Sequence, residues 1–248
     1  MRLKAKTAIV TGGASGFGEG IVRKFHAEGA QIVIADINVL AAKLIASELG
    51  KKTIAVQADV AERTSVENLQ ATAKRAFGKI DIIINNAGVT HLPTPLDQVN
   101  EEDFDHVFKV NCKSVYLMAK SFVPDMKKQR GGVILNIAST AGISPRPKLN
   151  WYNSSKGWMN TATKTMAVEL APFGIRVNAV NPVAGETPLL SSFMGEDTPE
   201  MRQKFISTIP LGRFSTAQDI ANAACYLCSD EASMVTGVCM EVDGGRCI

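Results

Sequence analysis

Residues 7–18 read TAIVTGGASGFG, a short apolar run followed by a glycine-rich turn. The apolar run predicts a buried strand, and the residues from 16 onward show the 3.6-residue periodicity of a helix. Glycine lets a backbone turn tightly and approach a phosphate group without a Cβ atom in the way. The N-terminus of the next helix adds free N–H groups and the positive end of its dipole. This order favours a dinucleotide site over the alternative, a purely structural turn.

The alternation of apolar runs and helical periodicity continues along the chain. The apolar runs are short and rich in Val and Ile, which is typical of strands buried on both faces of a sheet. They cover residues 7–10, 31–35, 53–57, 80–84, 133–137, 176–180 and 238–242. Helices are predicted at residues 16–29, 38–49, 62–77, 101–128, 150–172 and 216–229. The predicted fold class is α/β, a doubly wound parallel sheet of seven strands with helices on both faces.

No repeat or linker divides the sequence, so residues 1–248 are predicted to form a single domain. Segment 183–215 breaks the strand–helix rhythm, because it is rich in Pro, Ser and Thr with large apolar side chains between them. A long irregular segment within a compact domain is often a binding loop. We therefore expect 183–215 to act as a substrate-binding loop or lid.

The composition argues against several classes of function. The chain is 46% hydrophobic and 21% charged, which are ordinary globular proportions. Its net charge of +3 comes from scattered basic residues and only 6% of residues are aromatic, so no nucleic-acid partner is expected. No apolar run approaches the ~18 residues of a membrane span, and no membrane partner is expected. The cysteines and histidines lack disulfide or metal-ligand spacing, so we expect no metal and a reducing, cytoplasmic location.

An acidic residue, Asp36, ends the second predicted strand, 18 residues after the last glycine of the turn. A carboxylate at this place accepts hydrogen bonds from the adenosine ribose and repels a 2′-phosphate. Ser15 and Ile37 carry no positive charge that would attract that phosphate. The pattern favours NAD over NADP, and the alternative is a solvated loop aspartate. Asp59 and Val60 end the third strand and are predicted to contact the adenine ring.

Three further residues could carry acid–base chemistry. Ser139 follows the strand at 133–137, and Tyr152 and Lys156 are four residues apart on one face of a predicted helix. A cation at ~4 Å and an effective dielectric constant of ~20 is worth ~4 kcal/mol, enough to lower a tyrosine pKa by about three units. Tyr152 could then exchange a proton with an alcohol or ketone, while Ser139 holds the substrate oxygen. Alone, the Tyr–Lys spacing favours the alternative, a half-buried amphipathic pair on a helix face.

Together these motifs resemble the classical short-chain dehydrogenases/reductases over essentially the whole chain. Residues 11–18 fit the TGxxxGxG cofactor motif, and residues 85–88 fit the NNAG motif. Residues 181–182 and Thr187 fit the segment that holds the nicotinamide, and residues 241–245 look like the last strand and its glycine turn. The four residues that fit the catalytic tetrad are Asn111, Ser139, Tyr152 and Lys156.

The resemblance implies a Rossmann fold and hydride transfer between NAD and an alcohol or ketone. Tyr152 would be the general acid/base, and Lys156 would lower its pKa and bind the nicotinamide ribose. Ser139 would position the substrate oxygen, and Asn111 would support a water that links Lys156 to solvent. A homotetramer is also implied. The cofactor-binding residues would be Gly12, Ser15, Phe17, Gly18, Asp36, Asn86, Ala87, Gly88, Tyr152, Lys156, Pro182, Val183 and Thr187. Val183 departs from the family pattern, which usually has glycine there.

The predicted substrate residues follow the strand ends and the irregular segment. They are mainly apolar, which favours a hydrophobic, small-molecule ketone or secondary alcohol, with an aryl group as one option, over a sugar. The predicted set is Ser139, Ala141, Trp151, Leu189, Phe193 and Met194, and Pro145, Arg146 and Val183 are further candidates.

Two other functions stay open. A 3-oxoacyl-[acyl-carrier-protein] reductase looks similar over the whole length, and Arg130 matches one of its carrier-binding positions. Phe173 stands where the second basic residue would be, and Asp36 opposes the NADP that such enzymes commonly use. A non-catalytic dinucleotide sensor on the same fold would usually lack a catalytic residue, and none is missing here.

Overall fold

Seven parallel strands form the centre of the molecule in a computed structural model that describes residues 1–248. Each strand is short, and all lie within two residues of the predicted runs. The strands are β1 (Thr7–Thr11), β2 (Gln31–Asp36), β3 (Thr53–Gln57), β4 (Ile82–Asn85), β5 (Gly132–Ile137), β6 (Ile175–Pro182) and β7 (Cys239–Val242). The α/β class and the seven-stranded parallel sheet are confirmed.

Helices cover both faces of the sheet. They are α1 (Gly16–Ala27), α2 (Val39–Leu49), α3 (Arg63–Phe77), α4 (Glu101–Phe108), α5 (Ser114–Gln129), α6 (Asn150–Leu170), α7 (Leu190–Met194), α8 (Pro199–Ile206) and α9 (Ala217–Cys228). Successive side chains of a strand point to opposite faces, so β1 contributes to two cores. Val10 packs with Phe25 of α1 and Ile220 of α9. Ile9 packs on the other face with Leu69 of α3 and Phe122 of α5. None of these helices combines the length and apolar character needed to cross a membrane.

Two predicted segments differ from the structure. The helix predicted at 101–128 is divided by a π turn at Lys109–Lys113, which separates α4 from α5. A π turn adds a residue to one turn without ending the helical periodicity, so the pattern does not reveal it. The segment 183–215 is not irregular throughout, because it contains α7 and α8. The Thr198 side chain accepts a hydrogen bond from Met201 N, and Pro199 occupies the first turn, both ordinary helix-start signals.

The strand order β3-β2-β1-β4-β5-β6-β7 positions the functional site. The chain runs outward from β1 through β2 to β3, then returns to pair β4 on the other side of β1. A crevice opens where the order reverses, beyond the carboxyl ends of β1 and β4. The glycine turn after β1 and the residues that follow β4 and β5 all lie at this edge.

Candidate active site

One cleft of about 670 Å³ lies at the carboxyl edge of the sheet. It gathers most of the residues predicted from the sequence, although these come from loops far apart in the chain. The predicted residues that line it are Gly12, Ser15, Phe17, Asp36, Asp59, Val60, Asn86, Ala87, Gly88, Ser139, Ala141, Arg146, Tyr152, Lys156, Pro182, Val183, Thr187, Leu189 and Phe193.

The glycine turn forms one end of the cleft. Gly12 has a φ of +59°, and a Cβ atom there would lie 2.9 Å from the Ala87 Cα, so only glycine fits without strain. Gly18 does not line the cleft. A Cβ atom on Gly18 would lie 2.0 Å from the Gly12 carbonyl oxygen, so this glycine lets α1 pack under the turn. The space kept open by the turn and the N-terminus of α1 fit a pyrophosphate.

Asn86 holds the turn in place from the neighbouring strand. Its Nδ2 donates to the carbonyl oxygens of Thr11 and Gly12, both at 2.9 Å. The Thr11 hydroxyl in turn accepts hydrogen bonds from the backbone N–H groups of Asn86 and Ala87. These bonds tie the loops after β1 and β4 together, which explains why the TGxxxGxG and NNAG motifs occur in one protein.

Asp36 ends β2 at the edge of the cleft. Its Oδ2 accepts from Ala14 N at 3.0 Å and its Oδ1 accepts from Asn38 N at 2.9 Å. These two bonds fix the carboxylate beside the glycine turn. Ser15 and Ile37 also line this part of the cleft, and neither carries a charge.

Ser139, Tyr152 and Lys156 meet near the middle of the cleft. Ser139 follows β5, and its Oγ accepts from Ala141 N at 3.1 Å. Tyr152 is only 5% exposed, and its ring packs edge-on to the ring of Phe193 at 5.0 Å between centroids. The Lys156 Nζ donates to the Ile137 carbonyl oxygen at 3.0 Å and lies 5.8 Å from the centre of the Tyr152 ring.

In the protein without a cofactor, burial controls the protonation of Tyr152 and Lys156. Burial raises the pKa of Tyr152 to about 12, while a hydrogen bond from the Ser139 hydroxyl acts in the opposite direction. Burial also lowers the pKa of Lys156 to about 8. Burial thus opposes the expected lowering of the Tyr152 pKa by Lys156, whose ammonium donates to the Ile137 carbonyl. Tyr152 is a neutral phenol at pH 7, which suits a proton donor.

Asn111 lies behind the cleft wall, in the π turn. It is 0% exposed, its Oδ1 accepts from Val89 N at 2.9 Å, and its Nδ2 donates to the Val89 carbonyl and to Ser155 Oγ at the same distance. A Cβ atom on Gly88 would lie 3.4 Å from both Asn111 Oδ1 and Lys156 Nζ. The π turn thus brings Asn111 beside Lys156, and π turns are frequent at functional sites.

Trp151 and Met194 of the predicted substrate set, and the further candidate Pro145, do not line the cleft. Trp151 packs edge-on against Phe104 of α4, at 5.3 Å between ring centroids. It precedes Tyr152 on a helix, and one residue turns a side chain by about 100°, away from the cleft. Met194 is buried in a small apolar cluster with Leu190 and Val183.

Sequence reasoning also missed cleft residues. Leu149 and Asn153 flank Tyr152 at the start of α6, and Phe205 projects from α8. The i, i+4 spacing of Met201 and Phe205 is the available signal for an apolar face on α8. The expectation of an irregular segment hides that signal. The structure contains no group of three or more His, Cys, Asp or Glu side chains arranged to hold a metal.

A doubly wound sheet with a glycine cradle and a Ser–Tyr–Lys group at its switch point defines the class of dinucleotide-dependent oxidoreductases. Comparison with known proteins gives the particular family. Residues 12–246 match a family model described as enoyl-(acyl carrier protein) reductase. The chain belongs to the classical short-chain dehydrogenases/reductases, oxidoreductases that act on small molecules with NAD or NADP.

Three relatives illustrate the range of this family. The chain is 46% identical over 250 residues to 4-formylbenzenesulfonate dehydrogenase of Comamonas testosteroni, with 99% of each protein covered. It is 39% identical over 252 residues to 3-oxoacyl-[acyl-carrier-protein] reductase of Thermotoga maritima, with 100% of each covered. A solved structure of 3-ketoacyl-(acyl-carrier-protein) reductase from Brucella melitensis, complexed with NADH, has a TM-score of 0.95 and 46% identity, covering 99% of this chain and 100% of that chain.

Proposed function

We propose that this protein transfers hydride between NAD(H) and a hydrophobic, aryl-type ketone or secondary alcohol. The observation that carries the proposal is the position of Ser139 and Tyr152, which line the same cleft as the apolar side chains of Val183, Leu189 and Phe193. A carbonyl group can thus reach two hydroxyl groups while its substituents contact apolar surface. A sugar would need several more hydrogen-bonding groups in this wall.

The residues divide the chemistry between them. When bound, the nicotinamide cofactor supplies hydride to the carbonyl carbon, or accepts it from the carbinol carbon in the reverse direction. Tyr152 donates a proton to the substrate oxygen during reduction and accepts it back during oxidation. The Ser139 hydroxyl hydrogen-bonds the same oxygen and stabilises charge that develops on it. Lys156 is held beside Tyr152 by the Ile137 carbonyl and would bind the nicotinamide ribose.

Asp36 supports the preference for NAD. Its carboxylate is fixed by two backbone N–H groups at the end of β2. It can accept hydrogen bonds from the two ribose hydroxyl groups, whereas a 2′-phosphate would meet a negative charge without a neighbouring cation. The Brucella melitensis relative was solved in complex with NADH, which is consistent with this choice.

The aryl class is supported by the cleft and by one relative. Phe193 packs against the Tyr152 ring and Phe205 lines the same cleft, so aromatic side chains contribute to its wall. The Comamonas testosteroni relative is named for an aryl aldehyde, 4-formylbenzenesulfonate. We further propose that the segment 183–215, with α7 and α8, acts as the substrate-binding lid.

A second candidate is the reduction of 3-oxoacyl-[acyl-carrier-protein], because two relatives carry that name. Arg130 at the end of α5 would meet the acidic carrier protein. Its Nη2 donates to the Pro172 carbonyl at 3.3 Å, next to the apolar ring of Phe173. One basic residue where these reductases use two makes this function the weaker proposal.

Exposed apolar side chains support a homotetramer. Tyr116 of α5, and Trp158 and Val168 of α6, are large and exposed on helices that the family uses at an interface. Light scattering coupled to size exclusion should give four times the chain mass of 26.6 kDa. A monomer would refute this part of the proposal.

The function is tested by measuring NADH- and NADPH-dependent reduction of aryl methyl ketones, alkyl ketones, 3-oxoacyl thioesters and sugars. The proposal predicts strong turnover of aryl ketones with NADH. Turnover of thioesters alone, with NADPH, would overturn it and establish the second candidate.

A further inference from the structure

The substrate end of the cleft contains a guanidinium group that no acid neutralises. Arg146 lies in the loop before α6 and is half-buried. Its guanidinium stacks on the ring of Phe205, with Cζ 4.1 Å from the ring centre, and its Nη2 donates to Thr208 Oγ1 at 2.9 Å. Both Arg146 and Phe205 line the cleft that holds Tyr152.

Arg146 has a fixed position relative to the catalytic tyrosine. Its carbonyl oxygen accepts a hydrogen bond from Asn153 Nδ2 at 2.8 Å, and Asn153 directly follows Tyr152 on α6. Leu149, buried and also lining the cleft, lies between them in the sequence. The Arg146 backbone is therefore held near the start of α6, and its partly exposed guanidinium lies at the cleft wall between Phe205 and Thr208.

A second guanidinium stands behind the first. Arg246 donates from Nη1 to Ser144 Oγ at 3.1 Å, and its Nε is buried without a hydrogen-bond partner. Ser144 lines the cleft, so Arg246 supports its wall from the C-terminal end of the chain. Its neighbour Asp243 uses both carboxylate oxygens for the backbone N–H groups of Gly245 and Cys247.

The two arginines leave positive charge unbalanced at the cleft wall and behind it. Neither forms an ion pair with an acid of this chain. Burial, and to a lesser degree the charge of Arg246, lowers the pKa of Arg146. A guanidinium group in such a wall binds an oxyanion well, because its planar N–H groups can donate two parallel hydrogen bonds to a carboxylate or sulfonate.

We propose that the physiological substrate carries an anionic group, a carboxylate or sulfonate, on the end remote from the carbonyl, and that Arg146 binds it. The inference rests on the proposed function, since it assigns the substrate class of the same cleft. Phe193 and Phe205 contact the ring of such a substrate, while Ser139 and Tyr152 bind the oxygen that reacts. Arg246 acts as a positioning residue, through Ser144 and through its charge.

The test compares two substrates that differ only in charge. 4-Acetylbenzoate carries the carboxylate, and its methyl ester keeps the aryl ketone without the charge. The wild-type enzyme should reduce the acid with a kcat/KM at least tenfold above that of the ester. Arg146→Met should lower kcat/KM for the acid by about 10- to 100-fold, chiefly by raising KM, because a charge-assisted bidentate pair is lost. The ester should lose much less than the acid, so that the acid-to-ester ratio of kcat/KM falls.

Two further variants separate charge from structure. Arg146→Lys keeps the positive charge but cannot donate two parallel hydrogen bonds, so it should bind 4-acetylbenzoate more tightly than Arg146→Met and less tightly than wild type. Arg75→Met removes an exposed arginine from α3, outside the cleft, and should leave both substrates unchanged. Thermal unfolding of each variant identifies any loss that comes from misfolding.

Several outcomes would overturn the inference. An equal loss of activity toward acid and ester in Arg146→Met would show that Arg146 only supports the cleft. Turnover of the ester but not the acid by the wild-type enzyme would refute the anion site while leaving the proposed function intact. Dependence on Arg146 for pantetheine-phosphate thioesters alone would assign the anion to a carrier phosphate instead. No NADH-dependent turnover of any ketone would instead refute the proposed function itself.

Discussion

Replacing the carboxylate of Asp36 by an amide should change the cofactor preference. In Asp36→Asn the side chain keeps one oxygen to accept from either Ala14 N or Asn38 N, so the end of β2 retains part of its bonding. The charge is removed. We expect wild-type protein to favour NADH over NADPH at least tenfold in kcat/KM, and the variant to lose most of this preference.

The magnitude follows from the position of the carboxylate. A 2′-phosphate brings about two negative charges, and at ~5 Å each charge pair costs ~0.8 kcal/mol at a dielectric constant of ~80. Asp36 is half-buried at the edge of an open cleft, so the effective value lies nearer the aqueous limit than the interior one. The total of about 1.5–3 kcal/mol corresponds to roughly 10- to 150-fold.

Steady-state kinetics of an aryl ketone with each cofactor, at low and high salt, measure this effect. Because the repulsion acts at a solvated edge, the preference should shrink as ionic strength rises. Ile37→Arg, added to Asp36→Asn, should raise activity with NADPH further, since Ile37 lines the same region. A wild-type protein that uses both cofactors equally, or a variant with an unchanged ratio, would refute the electrostatic argument.

Three further perturbations test the site. Folding lowers the pKa of Lys156 from 10.5 to about 8, so between these pH values the lysine is protonated in the unfolded chain and neutral in the folded one. The free energy of unfolding should therefore rise from pH 8 to 10 by about 2 kcal/mol more in wild type than in Lys156→Met. Denaturant titrations at each pH measure this difference. Gly12→Ala should lower thermal stability and weaken NADH binding more than Gly212→Ala. Both glycines have positive φ, but only at Gly12 would a Cβ atom lie 2.9 Å from neighbouring backbone. Trp151→Phe should leave KM within twofold, whereas Phe193→Ala should raise it at least fivefold; equal effects would contradict the placement of Trp151 outside the cleft.

The sheet could be predicted because its strands are buried on both faces. Runs such as 31–35 and 133–137 are rich in Ile and Val, and every strand lies within two residues of its prediction. The glycine turn could be predicted equally well, because the tight backbone at Gly12 requires glycine and the TGxxxGxG motif has glycine at that position.

The orientation and protonation of the other site residues depend on tertiary contacts, which no local sequence pattern encodes. Trp151 and Tyr152 are adjacent and both aromatic, and only the packing of α6 against α4 decides which side chain faces the cleft. The prediction that Lys156 lowers the Tyr152 pKa counted the attraction of the lysine and left out burial, which no local sequence pattern reveals. Burial opposes that attraction, and the lysine is directed to Ile137 instead.

The most direct test of the account is the Tyr152→Phe variant, measured for both catalysis and cofactor binding. The ring, which packs against Phe193, is retained and only the buried hydroxyl is removed. We predict that kcat for NADH-dependent reduction of an aryl ketone falls by about 10²- to 10⁴-fold. NADH should bind within threefold of the wild-type Kd in a fluorescence titration. Retention of more than a tenth of the activity would contradict the role of Tyr152 as the proton donor and favour a different catalytic group or a sensor without catalysis.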